Sequence, residues 1–207
     1  MTPSAPARRA AAWLLAAFLA PTPLAAFDAA DLDRLLATKH CFDCDLTDAD
    51  LGEADLRDVY MTNADMSRAT LIGADLANGY LRFTTSSEAD FTGANLENVN
   101  LESATLTGAV LAQAQLRDAS LINASLSGAD LSGATLAGAN LTRTNLRNAL
   151  LTGADLTGAN LTSTVLTGTD LTDATLTGAT IARTSLTSAI LCRTTMPDGT
   201  ADSSGCP

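Results

Sequence analysis

The sequence is poor in aromatic residues and contains a single histidine. Aromatic residues make up only 4% of the 207, although 46% are hydrophobic. The apolar mass is therefore mainly leucine and alanine, and a core built from it relies on many small contacts rather than on large aromatic anchors. With one histidine, a Ser/His/Asp triad is almost excluded, and no P-loop or nucleophile elbow is present. We therefore expect a protein that is not an enzyme.

Positive charge is also scarce. The chain has 12 Lys and Arg against 23 Asp and Glu, for a net charge of −11. Direct binding to nucleic acid needs a basic patch that neutralises phosphates, so we expect none. The acidic residues are unevenly distributed along the chain. Residues 27–102 hold 16 Asp or Glu and 5 Lys or Arg, whereas residues 103–207 hold 7 Asp or Glu and 5 Lys or Arg. A solvated acidic end is the plainest interpretation of this asymmetry.

Residues 1–26 have the pattern of a signal peptide. Arg8 and Arg9 come first, a short apolar run follows from about Ala10 to Ala20, and "PTPLAA" supplies small residues for cleavage. The apolar run is too short to span a bilayer. We expect cleavage near Ala26, a periplasmic or secreted protein, and no stable membrane anchor.

A five-residue repeat occupies most of the remaining chain. Every fifth residue from Leu46 to Met196 is Leu, Met, Phe or Ile, except Ser86, and two positions earlier 21 of the 31 residues are Ala. The period matches neither an α-helix nor a flat strand. It fits a coil with four sides of five residues, in which the large and the small residue point inward. Stacked coils of this kind form a square β-solenoid.

The repeated motif A(D/N)LXX, as in "GADLTGANLTSTVLTGTDL", resembles the pentapeptide-repeat family over about three-quarters of the chain. The resemblance implies an all-β fold, a right-handed quadrilateral β-helix of nearly eight coils. Each buried leucine contributes about 1.5–3 kcal/mol, so the stack needs no cofactor or metal. We place the repeats at 44–196, between an N-terminal cap at 27–43 and a C-terminal tail at 197–207.

The predicted N-terminal cap is a short capping α-helix in "FDAADLDRLLATKH". Asp28 or Asp31 can serve as its N-cap residue. Leu32, Leu35 and Leu36 would share the face that covers the open end of the first coil.

The four cysteines lie at the two ends of the predicted rod. Cys41 and Cys44 occupy inward positions at the start of the rod, and Cys192 and Cys206 lie at its other end. Because bridged Cα atoms approach within about 7 Å, the fold leaves Cys41–Cys44 and Cys192–Cys206 as the feasible pairs. Whether Cys41 and Cys44 are bridged stays open. Both ends also resemble exported, disulfide-capped members of the family.

One coil departs from the repeat and suggests a surface site. Tyr60 and Tyr80 fall on the same face of successive coils, Phe83 points outward, and Ser86 replaces a large inward residue. These three aromatic residues are candidates for a partner contact. A tolerated irregularity is the plainer interpretation of the same coil.

The sequence thus predicts a non-catalytic, exported rod that presents its surface to an unidentified macromolecule, most simply a protein. A monomer is the default because both ends are capped. One alternative is an acidic DNA mimic that binds a topoisomerase, as the family resemblance allows, but the signal peptide and paired cysteines oppose it. Another is a thiol oxidoreductase using Cys41 and Cys44, which the inward register of these residues opposes. A zinc site lacks four soft ligands within reach of one another.

Overall fold

The structure is a computed structural model that describes residues 27–206. The predicted signal peptide lies outside the described residues. A helix, α1 (Ala29–Thr38), precedes the repeats, and two short strands, β1 (Thr194–Thr195) and β2 (Ala201–Asp202), follow them. Between these elements the chain forms coils joined by single-residue parallel bridges.

Residues twenty apart in sequence lie side by side in successive coils. Parallel bridges run from His40–Tyr60 to Thr175–Thr195 with this spacing. The backbone hydrogen bonds alternate in direction: Leu46 N–H donates to the Asp65 carbonyl at 2.7 Å, and Asp65 N–H donates to the Cys44 carbonyl at 2.8 Å. The chain also turns after every fifth residue, so each coil has the four sides that the repeat predicts.

Most sides of the solenoid end in a residue with left-handed backbone, two positions after the large inward residue. Gly73 (φ 65°) and Asn123 (φ 58°) are examples. Glycine adopts this conformation without penalty, and Asn and Asp tolerate it better than other residues. The Asp or Asn before the inward residue supports the same turn, as where Asp45 Oδ1 accepts a hydrogen bond from Thr47 N–H at 3.0 Å. The repeat consensus is therefore a turn consensus as well as a core consensus.

Leucine and alanine fill the interior, as the period predicts. Threonine sometimes replaces alanine at the small inward position and satisfies its own hydroxyl there. The Oγ1 atoms of Thr144, Thr164 and Thr169 each donate at 2.7 Å to the carbonyl of a leucine in the preceding coil. A buried hydroxyl costs little when it is hydrogen-bonded, so these substitutions leave the coil intact.

The coil that contains Ser86 pairs this small inward residue with a large one. Ser86 is fully buried, and its Oγ is one of two buried side-chain atoms without a hydrogen-bond partner in the described residues. Phe91, the next large inward residue of the same coil, is also fully buried. A phenylalanine beside a serine keeps the filled volume nearer to that of two leucines, which is what a close-packed interior requires.

The helix α1 is docked onto the first coil by its acidic residues and by one leucine. Asp28 is the N-cap residue, accepting from Ala30 N–H at 2.9 Å. Asp31 Oδ2 accepts from Asp45 N–H at 2.9 Å, which ties the helix to the coil. Leu35 is fully buried, but Leu36 is 54% exposed. The prediction that Leu36 shares the buried face is wrong. Successive residues of an α-helix point about 100° apart, so the orientation that buries Leu35 directs Leu36 away from the coil.

The C-terminal end is covered only in part. Strands β1 and β2 pair antiparallel, and Gly205 N–H donates to the Leu191 carbonyl at 2.8 Å, which holds the tail against the last coil. Ile181 and Leu186 are nonetheless only partly buried, unlike the inward residues of earlier coils.

Candidate functional site

A stack of rings follows one face of the rod near its N-terminal end. Tyr60 and Tyr80 lie with ring centroids 5.0 Å apart and planes within 3° of parallel. His40 continues the stack below Tyr60, at 5.1 Å and 11°. We call His40, Tyr60 and Tyr80 the aromatic ladder. The rings stack because residues twenty apart are neighbours, and the coil spacing of about 4.8 Å is also a stacking distance.

The ladder is exposed and is anchored at its lower end. Tyr60 and Tyr80 are 39% and 46% exposed. His40 Nδ1 lies 2.7 Å from the Thr38 carbonyl at the end of α1, and a carbonyl only accepts, so this nitrogen carries the proton. The ring of Phe42 leans on His40 with centroids 6.4 Å apart. Four rings therefore line this edge of the protein.

Above Tyr80 the ladder stops and a cleft begins. The next two residues of the same column are Asn100 and Ser120, whose small side chains leave a cleft of about 390 Å³ beside the tyrosines. Its lining is polar apart from the two tyrosine rings, Gly79 and Val99. It consists of Asp58, Tyr60, Asn78, Gly79, Tyr80, Asn98, Val99, Asn100, Asp118 and Ser120.

Gly79 shapes the floor of the cleft. It occupies a small inward position at which most coils carry alanine. A Cβ atom there would lie 2.8 Å from Leu81 Cδ1 and 2.9 Å from the Leu76 carbonyl oxygen. Such contacts are too short to be tolerated without movement, so the backbone next to Tyr80 requires glycine.

Two acidic residues contribute negative charge to the cleft. Asp58 and Asp118 line it and make no salt bridge with any residue between 27 and 206. By contrast, Arg68 donates to both carboxylate oxygens of Asp48 at 2.8 Å, one coil away. Hydrogen bonding from Arg68 lowers the pKa of Asp48 below its ordinary value. The cleft thus holds two carboxylates that make no salt bridge within the described residues, as is also true of most acidic residues in residues 27–102.

A second pair of residues shows the same contrast. Arg57 donates to Asp55 Oδ1 and Oδ2 at 2.9 and 2.7 Å. These hydrogen bonds hold the pKa of Asp55 well below its ordinary value. The guanidinium of Arg57 is therefore committed to Asp55, on the side of the coil next to the cleft.

Phe83 is exposed but does not join the ladder. No ring contact links it to Tyr80 within the described residues; its ring instead lies 5.1 Å from the Arg82 guanidinium. Its φ is 59°, a left-handed backbone that costs a residue with a side chain about 1–2 kcal/mol. The residue is 49% exposed, so burial does not offset that cost. The same left-handed backbone recurs at this position in most other sides of the solenoid, for example at Arg68 and Arg143, so it is a requirement of the fold.

Of the three aromatic residues that the sequence singles out, the structure stacks Tyr60 on Tyr80 and separates Phe83 from them. The sequence reasoning missed His40 and Phe42. A signal for His40 was available, because subtracting one coil of twenty from Tyr60 leads to it. Phe42 has no such signal, since it reaches the ladder only through the turn after Cys41.

The cysteines form two disulfides, one at each end of the rod. Cys41 and Cys44 are bridged with Cα atoms 5.4 Å apart, and Cys192 and Cys206 with Cα atoms 4.6 Å apart. Cys41 is fully buried and Cys44 nearly so, and Arg34 Nη2 lies 2.9 Å from Cys44 Sγ under α1. An attacking thiolate needs access to a sulfur atom, and this pair offers very little.

Residues 27–206 show neither a metal cluster nor a membrane-spanning helix. No group of His, Cys, Asp and Glu there has the arrangement of a metal site. In the same part of the chain, no helix has the length and apolar character needed to cross a membrane.

Comparison with known proteins identifies the repeat. The family model for pentapeptide repeats matches in eight copies, over residues 40–82, 87–121, 114–153 and 154–193. HetL, a pentapeptide repeat protein involved in heterocyst differentiation regulation in the cyanobacterium Nostoc sp. strain PCC 7120, is 32% identical. The alignment covers 83% of this chain and 97% of HetL, with a TM-score of 0.40. No curated protein matches the chain.

Two further solved structures are similar over part of the chain. QnrB1, a plasmid-mediated fluoroquinolone resistance protein, is 16% identical over 68% of this chain and 73% of its own, with a TM-score of 0.52; at that identity the likeness concerns the fold alone. A pentapeptide repeat protein from the Arabidopsis thaliana thylakoid lumen is 36% identical over 50% of this chain and 68% of its own, with a TM-score of 0.27. Since the family model matches most of the chain, the protein belongs to the pentapeptide-repeat family.

Proposed function

We propose that this protein is an exported, disulfide-capped, non-catalytic rod that binds a macromolecular partner through the aromatic ladder and the adjoining cleft. In this proposal the coils have the right-handed sense that the family resemblance implies. Residues 27–43 cap one end, the tail at 197–207 covers part of the other, and the repeats between them supply a rigid surface.

Export is supported by two independent features. Residues 1–26 have the charge and apolar pattern of a cleaved leader. All four cysteines are paired in disulfides, which persist in oxidising compartments and are rare in the cytoplasm. The same two features oppose the acidic DNA mimic, whose topoisomerase target is cytoplasmic, and the oxidoreductase is opposed by the burial of Cys41 and Cys44.

The observation that carries the binding proposal is the stack of exposed rings on Tyr60 and Tyr80 beside the cleft. Most of the surface consists of turn residues that the repeat itself requires. Conversely, the repeat does not require aromatic rings at these positions, since Asn, Ser or Thr holds the same column in the later coils. Exposed aromatic residues around a cleft are typical of recognition surfaces.

Site-specific photo-crosslinking in the native host tests the proposal. A photo-reactive amino acid replaces Ser120 at the rim of the cleft, or Asp130, which lies in the column two sides away across the coil. The proposal predicts one discrete adduct from position 120 that disappears in a Tyr80→Ala background, and no matching adduct from position 130. Equal adducts from both positions, or an adduct indifferent to Tyr80→Ala, would contradict it.

A further inference from the structure

The upper face of Tyr80 is the feature from which the partner's chemistry can be argued. Tyr60 covers the lower face of this ring at 5.0 Å. Asn100 occupies the position above, where a fourth ring would extend the ladder. The cleft of about 390 Å³ opens at that point, so a planar group of the partner could stack on Tyr80 in register with the ladder.

The side chains around this face are hydrogen-bond acceptors or can act as acceptors. Asp58 and Asp118 contribute carboxylates, and Asn78, Asn98 and Asn100 contribute amides. No lysine, arginine or histidine is among the residues that line the cleft. A ligand that complements this lining carries hydrogen-bond donors and positive charge.

The surrounding surface reinforces this selectivity. Residues 27–102 carry 16 acidic and 5 basic side chains, a net of 5 − 16 = −11. The arginines that precede Asp58 and Asp118 in the chain lie against other carboxylates, Arg57 with Asp55 at 2.7 Å and Arg117 with Glu97 at 3.9 Å. The acidic surface would repel an anionic ligand. It would attract a cationic ligand to the carboxylates that make no salt bridge.

A guanidinium group meets all of these conditions. It is planar, always charged, carries five donors and no acceptor, and stacks on aromatic faces. An ammonium group has the charge but not the plane, and a sugar ring has neither the charge nor the need for two carboxylates. We propose that the cleft binds the side chain of an arginine in a basic segment of the partner protein, with the guanidinium stacked on the upper face of Tyr80. This inference rests on the proposed binding function and specifies its partner.

Nuclear magnetic resonance on the full chain tests the inference directly. The chain has two tyrosines, and both belong to the ladder. Their ring resonances therefore report on this site alone. The probe is acetyl-Gly-Arg-Gly-amide, compared with the same peptide carrying lysine or citrulline; citrulline keeps the shape of arginine and removes its charge. We expect the arginine peptide to shift the Tyr80 ring and the Asn98 and Asn100 amides, lysine to shift them less, and citrulline not at all.

Variants separate the site from the general acidity of the chain. Asp118→Asn should weaken binding of the arginine peptide about two- to fivefold, the range for one exposed charge pair. Tyr80→Leu should weaken it by a similar factor through loss of the cation–π contact. Asp130→Asn removes the same charge from another face and should leave binding unchanged.

Three results would overturn the inference. They are equal shifts from the citrulline peptide, equal weakening by Asp118→Asn and Asp130→Asn, and shifts of the same resonances by chitotriose but not by the arginine peptide. Any of these leaves the proposed function standing if the crosslink at position 120 still depends on Tyr80. Loss of that crosslink with arginine binding intact would instead overturn the proposed function and keep the cleft as a guanidinium site.

Discussion

Tyr60 and Tyr80 are twenty residues apart in sequence and 5.0 Å apart between ring centroids, with their planes within 3° of parallel. The solenoid produces this relationship without any dedicated loop, because each coil repeats the position of the one before. A rod of this kind places like side chains against one another when they recur at the same bridge position of consecutive coils. The rest of the repeat then keeps those side chains in place.

Phe83 should be replaceable with a gain in stability. Phe83→Asn puts a residue that tolerates left-handed backbone at φ 59°, and we expect the free energy of unfolding to rise by about 1 kcal/mol. The control is Ile72→Asn, at a position that is also exposed but does not have a positive φ. It should change stability by less than about 0.5 kcal/mol. Urea unfolding of both variants measures the difference, and equal effects would show that φ is not the cause.

Ser86 and Phe91 should behave as a coupled pair. Ser86→Leu alone crowds a coil that already holds Phe91, and we expect it to lower the free energy of unfolding by about 1–3 kcal/mol. The double variant Ser86→Leu/Phe91→Leu restores the leucine consensus and should recover much of that loss. A double-mutant cycle from denaturant unfolding measures the coupling. Strict additivity of the two substitutions would contradict volume compensation.

Ser86→Ala should not destabilise the protein. It removes a buried hydroxyl that has no partner among the described residues, and leaving such a group unpaired costs about 1–3 kcal/mol. The melting temperature should therefore stay the same or rise. A clear fall would indicate that the hydroxyl has a partner, such as a bound water.

The Cys192–Cys206 disulfide should stabilise the C-terminal end of the rod. It closes a loop with a sequence separation of 14, for which the chain-entropy model gives about 3 kcal/mol. We expect the Cys192→Ala/Cys206→Ala variant to lose about that much stability. The matched control adds reductant to that variant: any further loss then reports on Cys41–Cys44 alone. No loss in the variant would contradict a structural role for the C-terminal bridge.

The ion pair between Asp48 and Arg68 should make a pH-dependent contribution. The pKa of Asp48 is lowered from its ordinary value of 3.8, chiefly by hydrogen bonding to Arg68. Because the folded-state pKa is the lower one, the stabilisation is fully present above about pH 4 and is lost as the pH falls through the folded value. Arg68→Gln should raise the pKa of Asp48 toward 3.8 and remove this part of the acid dependence.

Carboxyl-carbon chemical shifts across an acid titration measure that pKa. The control is Arg143→Gln, which removes the same charge at another left-handed turn position whose arginine makes no salt bridge within residues 27–206. It should leave the Asp48 titration unchanged. An unchanged titration in Arg68→Gln as well would contradict the pairing.

Much of the fold could be predicted from the sequence, because a period of five constrains both the turns and the core. The inward positions of Leu46 and its successors follow from counting, and Cys41 and Cys44 are buried where that count places them. The prediction for Leu36 failed because α1 lies outside the repeat, and its orientation depends on the docking of Asp31 onto Asp45.

Less of the candidate site could be predicted. Counting by twenty pairs Tyr60 with Tyr80, and it would also have found His40. The separation of Phe83 from the ladder depends on the direction of its side chain and on Arg82, which a period does not specify. The repeat pattern likewise does not predict the cleft, because the cleft forms where small side chains follow large ones along the rod.

The central claim is that the protein is an exported rod with a disulfide at each end. A measurement of its intact mass tests this claim most directly. The protein is recovered from its native host, from the cytoplasm, the envelope fraction and the medium, and is alkylated before and after reduction. The account predicts a chain that lacks residues 1–26, with no alkylation before reduction and four alkylated cysteines after it. A full-length cytoplasmic chain with thiols alkylated before reduction would contradict export and the role of both disulfides.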